Sequence, residues 1–248
     1  MRYAGIDIGS RTIKLAVIED GRLVLSRKAA SSHDPLGTAR ELMEGAGFDR
    51  IMATGYGRHL IRGHLDCPVI SEISAFVRGA RFFSDGCNAI LDIGGQDTKA
   101  ISLDQNGGLC KFEMNDRCAA GTGRFLEVMA TALGFTLEEF AAAALAAKKA
   151  EKINSMCTVF AESEVVSLIS QGADRDDVAL GIHKAIIGRS AGLLKRVAPL
   201  GTIFFAGGVA LNPCARALLS EETGRAVFVP PDPQIVGAVG AALECAGD

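Results

Sequence analysis

The sequence predicts an α/β protein built from two related domains, each containing a mixed sheet. Residues 4–27 have the pattern of three short strands joined by tight turns. The same pattern returns 85 residues later, between Ala89 and Met114. Helical patterns follow each set of strands, and this repeated order is typical of duplicated α/β domains.

The first copy opens the chain. Its alternating apolar residues and its turns at Gly9 and Asp20 predict strands over 4–8, 12–19 and 22–27. Helices over 35–45 and 70–83 flank a further short strand over 50–54. We therefore expect a first domain formed by residues 1–85.

The second copy is supported by a local repeat. Aligning Asp7 with Asp92 gives four identities in eight positions, including Lys14 with Lys99. The predicted strands are 89–93, 100–103, 109–114, 202–206 and 226–229, and the predicted helices are 123–133, 137–149, 160–170, 177–197 and 212–219. We expect residues 86–232 to form the second domain, and the helix over 234–245 to return residues 233–248 to the first.

Composition excludes several functional classes. The chain has 248 residues, of which 22% are charged, with a formal net charge of −3 and no basic stripe, so we expect no nucleic-acid partner. No apolar run reaches the roughly 18 residues of a membrane-spanning helix, so we expect no membrane partner. With no secretion signal at Met1, a cytoplasmic location is expected.

Glycine-rich turns follow acidic residues at both repeats. Asp7-Ile8-Gly9-Ser10 and Asp92-Ile93-Gly94-Gly95 each place a carboxylate at a strand end. Glycine permits close backbone approach to a phosphate, and a neighbouring carboxylate suits hydrated Mg²⁺. These two turns and the later Gly207-Gly208 together predict a nucleotide site. The alternative is that all three are unrelated tight turns.

The seven cysteines fit neither a disulfide framework nor a zinc motif. We interpret five of them as structural thiols: Cys67, Cys87, Cys110, Cys214 and Cys245. Cys118 and Cys157 differ, because each precedes a predicted helix, whose positive end lowers a thiol pKa. Glu162 and Glu164 follow Cys157, either on a solvated face or as nucleotide contacts.

These motifs carry a resemblance to a known superfamily. The two Asp-x-Gly hairpins and the Gly-Gly motif resemble the phosphate and adenosine motifs of the actin, Hsp70 and sugar-kinase superfamily. More narrowly, residues 92–99, 115–127 and 157–165 are similar to the activator component of 2-hydroxyacyl-CoA dehydratases, a family that includes ATP-binding subunits of benzoyl-CoA reductase. The likeness covers essentially the whole chain.

The resemblance implies an actin-like (ribonuclease H-like) fold with ATP·Mg²⁺ in the cleft between the duplicated domains. Asp7 and Asp92 would organise Mg²⁺, and Gln96 would orient the attacking water. Phosphates would be cradled by Ser10, Thr12, Gly94 and Gly95, with Gly9 in the first turn, and Gly207 and Gly208 would make room for adenosine. The sequence departs from the family at Phe76, where a histidine is usual.

The resemblance also implies a homodimer with one oxygen-sensitive [4Fe-4S] cluster, to which each subunit supplies Cys118 and Cys157. Two thiolates from each subunit would satisfy the four that a cubane cluster needs. A ferredoxin or flavodoxin would reduce it, and a 2-hydroxyacyl-CoA dehydratase would receive the electron. A benzoyl-CoA or double-cubane reductase is an alternative acceptor, and a small kinase of the same superfamily is the alternative of another class.

Overall fold

A computed structural model describes residues 1–65, 67–116, 119–154 and 157–247 of the chain. The first half contains β1 (Arg2–Ile8), β2 (Thr12–Glu19), β3 (Arg22–Ala30), α1 (Pro35–Met43), β4 (Arg50–Thr54), α2 (Arg58–Leu65) and α3 (Glu72–Phe83). Its strands form one sheet in the order β3-β2-β1-β4. Because β4 runs parallel to β1 while β2 and β3 run antiparallel to their neighbours, the sheet is mixed, as predicted.

The second half repeats this plan with more helices. It contains β5 (Cys87–Ile93), β6 (Thr98–Leu103), β7 (Leu109–Asn115), α4 (Gly123–Ala132), α5 (Leu137–Ala146), α6 (Thr158–Ser170), α7 (Arg175–Val197), β8 (Thr202–Ala206), α8 (Pro213–Thr223), β9 (Val227–Phe228) and α9 (Val236–Gly247), with a 3₁₀ turn at Gly208–Leu211. The sheet order is β7-β6-β5-β8-β9. Its first four strands pair with the same directions as those of the first sheet, which confirms two mixed sheets of one design.

The last helix returns to the first sheet. α9 packs against β1 and α3, and the approach is so close that a Cβ on Gly240 would overlap the carbonyl of Ala75. α3 also covers the second sheet, where Phe76 and Val77 share a core with Ile90, Ile101 and Phe204. The two halves are thus joined through α3 and α9. The boundaries at residues 85 and 232 remain predictions.

The helices differ from prediction at a few places. α2 was not predicted, because it spans only eight residues and contains just three large apolar ones, Leu60, Ile61 and Leu65, which are too few to establish a helical period. α5 ends at Ala146 rather than at Lys149, since the N–H groups of Lys148 and Lys149 donate to the Asp177 carboxylate at 3.1 and 3.0 Å.

The helices were also tested for membrane-spanning length. Across the described ranges, no single helix is both long and apolar enough to cross a membrane. The neighbouring α4 and α5 reach the required length and apolarity only when they are taken together, and they are bent by 81° to one another.

Candidate functional site

A cleft of about 700 Å³ lies where the first hairpins of the two halves end. Both halves line it, because the two sheets have the same design and the first hairpin of each ends at the cleft. All ten residues predicted from sequence to hold nucleotide or Mg²⁺, or to orient water, lie on its wall: Asp7, Gly9, Ser10, Thr12, Asp92, Gly94, Gly95, Gln96, Gly207 and Gly208. Sequence positions up to 201 residues apart are brought together in this way.

Each half contributes one buried carboxylate that is paired with a lysine across its first hairpin. Asp7 faces Lys14 in the β1–β2 register, and Lys14 Nζ lies 3.1 Å from Asp7 Oδ2. Asp92 faces Lys99 in the β5–β6 register, and Lys99 Nζ lies 3.2 Å from Asp92 Oδ2. Lys14 and Lys99 form the fourth identical pair of the sequence repeat, and they also occupy equivalent positions in the structure.

A glycine with positive φ stands beside each carboxylate. Gly55 (φ +92°) follows β4, and Gly207 (φ +85°) follows β8. A Cβ on Gly55 would overlap Asp7 Oδ1, and a Cβ on Gly207 would overlap the carbonyl oxygen of Ile93 and lie 2.5 Å from Asp92 Oδ1. Only glycine fits both the conformation and the space. Sequence reasoning did not assign Gly55, although it occupies the place of Gly207 in the first half.

The glycine-rich turns that follow Asp7 and Asp92 are closed by equivalent hydrogen bonds, but the second turn is also bonded to a helix. Gly9 N donates to Thr12 O at 3.1 Å, and Gly94 N donates to Asp97 O at 2.9 Å. The carbonyls of Gly94 and Gly95 then accept from the N–H groups that begin α4, at Gly123 (2.8 Å) and Arg124 (3.0 Å). Movement of this loop would therefore be transmitted to α4.

Lys99 is surrounded by three carboxylates. Its Nζ lies 3.2 Å from Asp92, 2.7 Å from Asp97 and 3.0 Å from Glu72, which comes from α3. Burial alone would lower the pKa of Lys99, but the three carboxylates outweigh it and raise that pKa. Burial raises the pKa of Asp92 to about 6, against the attraction of Lys99.

Sequence reasoning missed the cross-half contacts of this cluster. Glu72 begins α3 and carries no phosphate-loop signal, so only the fold brings it to Lys99. Phe76, one turn further along α3, lies with its ring centroid 5.5 Å from Lys99 Nζ and lines the cleft. The aromatic face adds a cation–π contact to the charge of Lys99.

A second ion pair crosses the cleft closer to solvent. Arg11 Nη2, from the β1–β2 turn, lies 2.7 Å from Glu127 Oε2 on α4. Arg124 Nη1 lies 3.1 Å from the same oxygen. Neither Arg11 nor Glu127 was singled out from the sequence as a site residue, because an exposed Arg and Glu carry no motif.

Apolar as well as polar side chains line the cleft beyond Gly207 and Gly208. Leu137 and Leu211, which line it, are 43% and 47% exposed, and Ala141 lies beside them on the wall. Exposed leucines that face a cleft provide a surface for the flat apolar face of a base.

Of the two candidate cluster cysteines, Cys157 does not line this cleft. Cys157 is exposed and occupies the N-cap position of α6, with no side-chain capping hydrogen bond. Cys118 lies outside the described residues. Glu164 accepts two hydrogen bonds from Asn154 (2.9 and 3.0 Å), and Glu162 is exposed, so neither glutamate lines the cleft.

The other cysteines follow the structural interpretation with one exception. Cys67, Cys87, Cys214 and Cys245 are buried. Burial raises the pKa of Cys87, and it raises that of Cys214 to about 11, so both thiols are unreactive near neutral pH. Cys110 differs from these four, because it is exposed on the edge strand β7, and its interpretation as a structural thiol stays a prediction.

A sequence model of the BadF/BadG/BcrA/BcrD ATPase family matches residues 4–245. The chain belongs to this ATPase family. The match includes both duplicated hairpins, the Gly207-Gly208 turn and both candidate cluster cysteines, so no part of the site falls outside the family pattern.

Relatives in this family are similar over nearly their whole length. The (R)-2-hydroxyglutaryl-CoA dehydratase activating ATPase of Acidaminococcus fermentans is 39% identical over 248 residues, covering 96% of this chain and 95% of that protein. The activator of lactoyl-CoA dehydratase of Anaerotignum propionicum is 40% identical over 253 residues, covering 98% and 96%. A benzoyl-CoA reductase subunit of Thauera aromatica is 33% identical over 262 residues, covering 97% and 91%.

Solved structures agree with the family assignment and with the fold. The activator of the 2-hydroxyisocaproyl-CoA dehydratase from Clostridium difficile, with bound ADPNP, superposes with a TM-score of 0.90 at 37% identity, covering 99% of this chain and 94% of that one. A ROK family glucokinase from Streptomyces griseus gives a TM-score of 0.65 at 14% identity, with both chains covered completely. The second likeness shows the fold alone, and confirms the predicted actin-like architecture that sugar kinases share.

Proposed function

We propose that this protein is an ATP-dependent, one-electron transfer activator that reduces a partner 2-hydroxyacyl-CoA dehydratase. The observation that carries the proposal is the convergence of both duplicated Asp-x-Gly turns and Gly207-Gly208 on one cleft. The near-full-length similarity to two dehydratase activators supports the choice of partner.

ATP would occupy the cleft between the halves. Asp7 and Asp92 would organise Mg²⁺, Ser10, Thr12, Gly94 and Gly95 would hold the phosphates, and Gly207 and Gly208 would admit adenosine. Among the described side chains, no group of three or more His, Cys, Asp or Glu could hold a metal ion. A Mg²⁺ ion here would therefore take its other ligands from phosphates and water, as this ion prefers.

Gln96 lines the same wall and would orient the attacking water. A nucleotide that contacts both halves favours the closed arrangement, and hydrolysis removes part of that preference. The neutral amide of Gln96 suits this role because it both donates to and accepts from water.

A [4Fe-4S] cluster would be shared by two subunits, each of which would supply Cys118 and Cys157. The exposed thiol of Cys157 at the N-terminus of α6 fits a thiolate ligand, since the helix end stabilises negative charge. When bound, the cluster supplies one-electron redox chemistry. Phe160 and Val166, which are 68% and 54% exposed on α6, give the apolar surface that a homodimer contact near Cys157 would cover.

The electron donor would be a ferredoxin or flavodoxin, and an exposed cluster would make the protein oxygen-sensitive. A benzoyl-CoA or double-cubane reductase is the alternative acceptor, which the similarity to the Thauera aromatica protein favours. The kinase alternative has no such support, because its likeness is one of fold alone.

The proposal is tested by anaerobic activation of a dehydratase. Purified 2-hydroxyglutaryl-CoA and lactoyl-CoA dehydratases are each mixed with this protein, a low-potential reductant and ATP or ADP. Dehydration of the matching 2-hydroxyacyl-CoA should begin only with the protein, reductant and ATP together. ATP consumption with sugar phosphorylation and no dehydratase activation would favour the kinase alternative.

Gln96→Ala is the informative variant in this assay. It should lower ATP hydrolysis about 100-fold, while ATP affinity changes by less than about twofold, because a water-positioning residue acts mainly in the transition state. An equal loss of affinity and of hydrolysis would assign Gln96 to nucleotide binding instead.

A further inference from the structure

Among the described residues that line the cleft, the ion pairs Glu72–Lys99 and Arg11–Glu127 each link the two halves, and they differ in burial. Glu72–Lys99 lies at the floor, where the Lys99 side chain is only 3% exposed. Arg11–Glu127 lies at the mouth, with side chains 47% and 27% exposed. A half-exposed pair is weak and screened by salt, so it exchanges partners readily. The mouth pair is therefore the one that a charged ligand can displace.

Arg11 is held over the second phosphate loop. It lies between Ser10 and Thr12 in the first loop, and its side chain crosses Gly95 in the second. A Cβ on Gly95 would overlap Arg11 Cγ and lie 2.9 Å from Arg11 Cβ. The aliphatic part of the Arg11 side chain thus lies against the second loop, and the residue lines the same cleft.

Glu127 would keep a partner if Arg11 moved away. Arg124 Nη1 already lies 3.1 Å from the Glu127 oxygen that Arg11 contacts. Displacement of Arg11 would consequently leave no unpaired carboxylate. A phosphate group is a better partner for Arg11 than a shared carboxylate, because it carries more charge and accepts both N–H groups of the guanidinium fork.

We propose that Arg11 exchanges Glu127 for the terminal phosphate of a bound nucleoside triphosphate, and so distinguishes triphosphate from diphosphate. This inference rests on the proposed nucleotide site, but not on the iron-sulfur cluster or on the partner. The released Glu127 belongs to α4, whose first N–H groups are bonded to Gly94 and Gly95. The exchange would therefore change how α4, which begins five residues after Cys118, is tied to the first half.

The test compares affinities for ADPNP, a non-hydrolysable triphosphate, and ADP, by calorimetry on the anaerobically purified protein with Mg²⁺. Arg11→Gln should weaken ADPNP binding about tenfold and ADP binding less than about twofold. Glu127→Gln should strengthen ADPNP binding about threefold, because the competitor for Arg11 is removed. The double variant should behave like Arg11→Gln alone.

Arg124→Gln is the matched control, since it removes a cation from the same carboxylate at a residue that does not line the cleft. It should leave the ratio of ADPNP to ADP affinity within about twofold of the parent value. Urea unfolding of each variant, followed by circular dichroism, verifies that these surface changes leave the fold intact.

Opposite signs for Arg11→Gln and Glu127→Gln support the exchange. Equal weakening of ADPNP by both variants would overturn it in favour of a fixed salt bridge, and so would an equal effect of Arg11→Gln on both nucleotides or no effect at all. A parent protein that binds neither nucleotide would instead refute the proposed nucleotide site. A parent that binds both but holds no iron would refute only the cluster.

Discussion

The two duplicated hairpins keep one backbone design and diverge in their electrostatics. In the first half Lys14 is paired with Asp7, and the lysine side chain is 13% exposed. In the second half Lys99 is paired with three carboxylates and is 3% exposed. The additional carboxylates are Asp97, from the turn that follows Asp92, and Glu72, from α3 of the first half. The buried lysine of the second hairpin therefore makes an ion pair with the first half, through Glu72.

The two halves also differ in the segment that connects the third strand of each sheet to the fourth. Between β3 and β4 the first half has only α1, whereas between β7 and β8 the second half has α4, α5, α6 and α7. Cys157 and the segment containing Cys118 lie in this longer connection. The two halves thus share the glycine-rich turns, whereas the candidate cluster cysteines belong to the longer connection of the second half.

The largest expected effect separates the two lysines. Lys99→Met should lower the free energy of unfolding by about 3–5 kcal/mol, because it leaves the buried Asp92 carboxylate without the cation that it pairs with. Lys14→Met, the matched variant, should cost about 1–2 kcal/mol, since the ion pair that it removes is less deeply buried. Urea unfolding in the absence of nucleotide measures both. Equal losses of unfolding free energy in the two variants would show that the two lysines contribute alike, and would contradict the difference between the halves.

The second effect tests what the halves share. Gly55→Ala and Gly207→Ala should each cost about 3 kcal/mol, because alanine is strained at positive φ and its Cβ has no space beside Asp7 or Asp92. Gly172→Ala is the control. It also has positive φ (+87°), but nothing lies within 4 Å of the added Cβ, so about 1 kcal/mol is expected. A Gly55 variant as stable as the control would show that the two turns are not equivalent.

The smallest effect concerns the pH dependence that Asp92 confers. Because burial raises its pKa to about 6, the folded protein holds this proton more tightly than the unfolded chain does, where the value is 3.8. The stability that Asp92 contributes is complete below pH 3.8 and is lost as pH rises through 6. Relative to Asp92→Asn, the parent should lose about 2 kcal/mol between pH 4 and 7.

The ionisation of Asp92 also tests whether this carboxylate helps to bind Mg²⁺. A carboxylate binds the ion only when it is ionised, so the Mg²⁺ dependence of ADPNP affinity should increase as pH rises through the same window. Unfolding curves of parent and Asp92→Asn that remain parallel from pH 4 to 7, measured in urea, would contradict the raised pKa.

Much of the fold followed from local sequence signals. Alternating apolar residues and the Asp20-Gly21 turn predicted β1 to β3, and the Asp7 to Asp92 repeat predicted the second hairpin. The ten cleft residues stand in or next to three glycine-rich turns, and the resemblance to the ATPase superfamily supplied their individual roles. α2 was missed because eight residues are too few to establish a helical period from sequence.

Contacts between halves were not predictable from local patterns. Glu72 and Glu127 are ordinary helix residues in sequence, and only the packing of α3 and α4 brings them to Lys99 and Arg11. The pairing of cluster cysteines between subunits is not local either, since it depends on a second copy of the chain. It stays a prediction.

The iron and acid-labile sulfide content of the anaerobically reconstituted dimer tests the central claim most directly. An activator with a shared cubane should hold about four iron and four sulfide per dimer. Cys118→Ser and Cys157→Ser should each abolish this content while ATP binding persists, and the buried Cys245, changed to serine, should leave it unaltered. A dimer that binds ATP and takes up no iron would contradict the account.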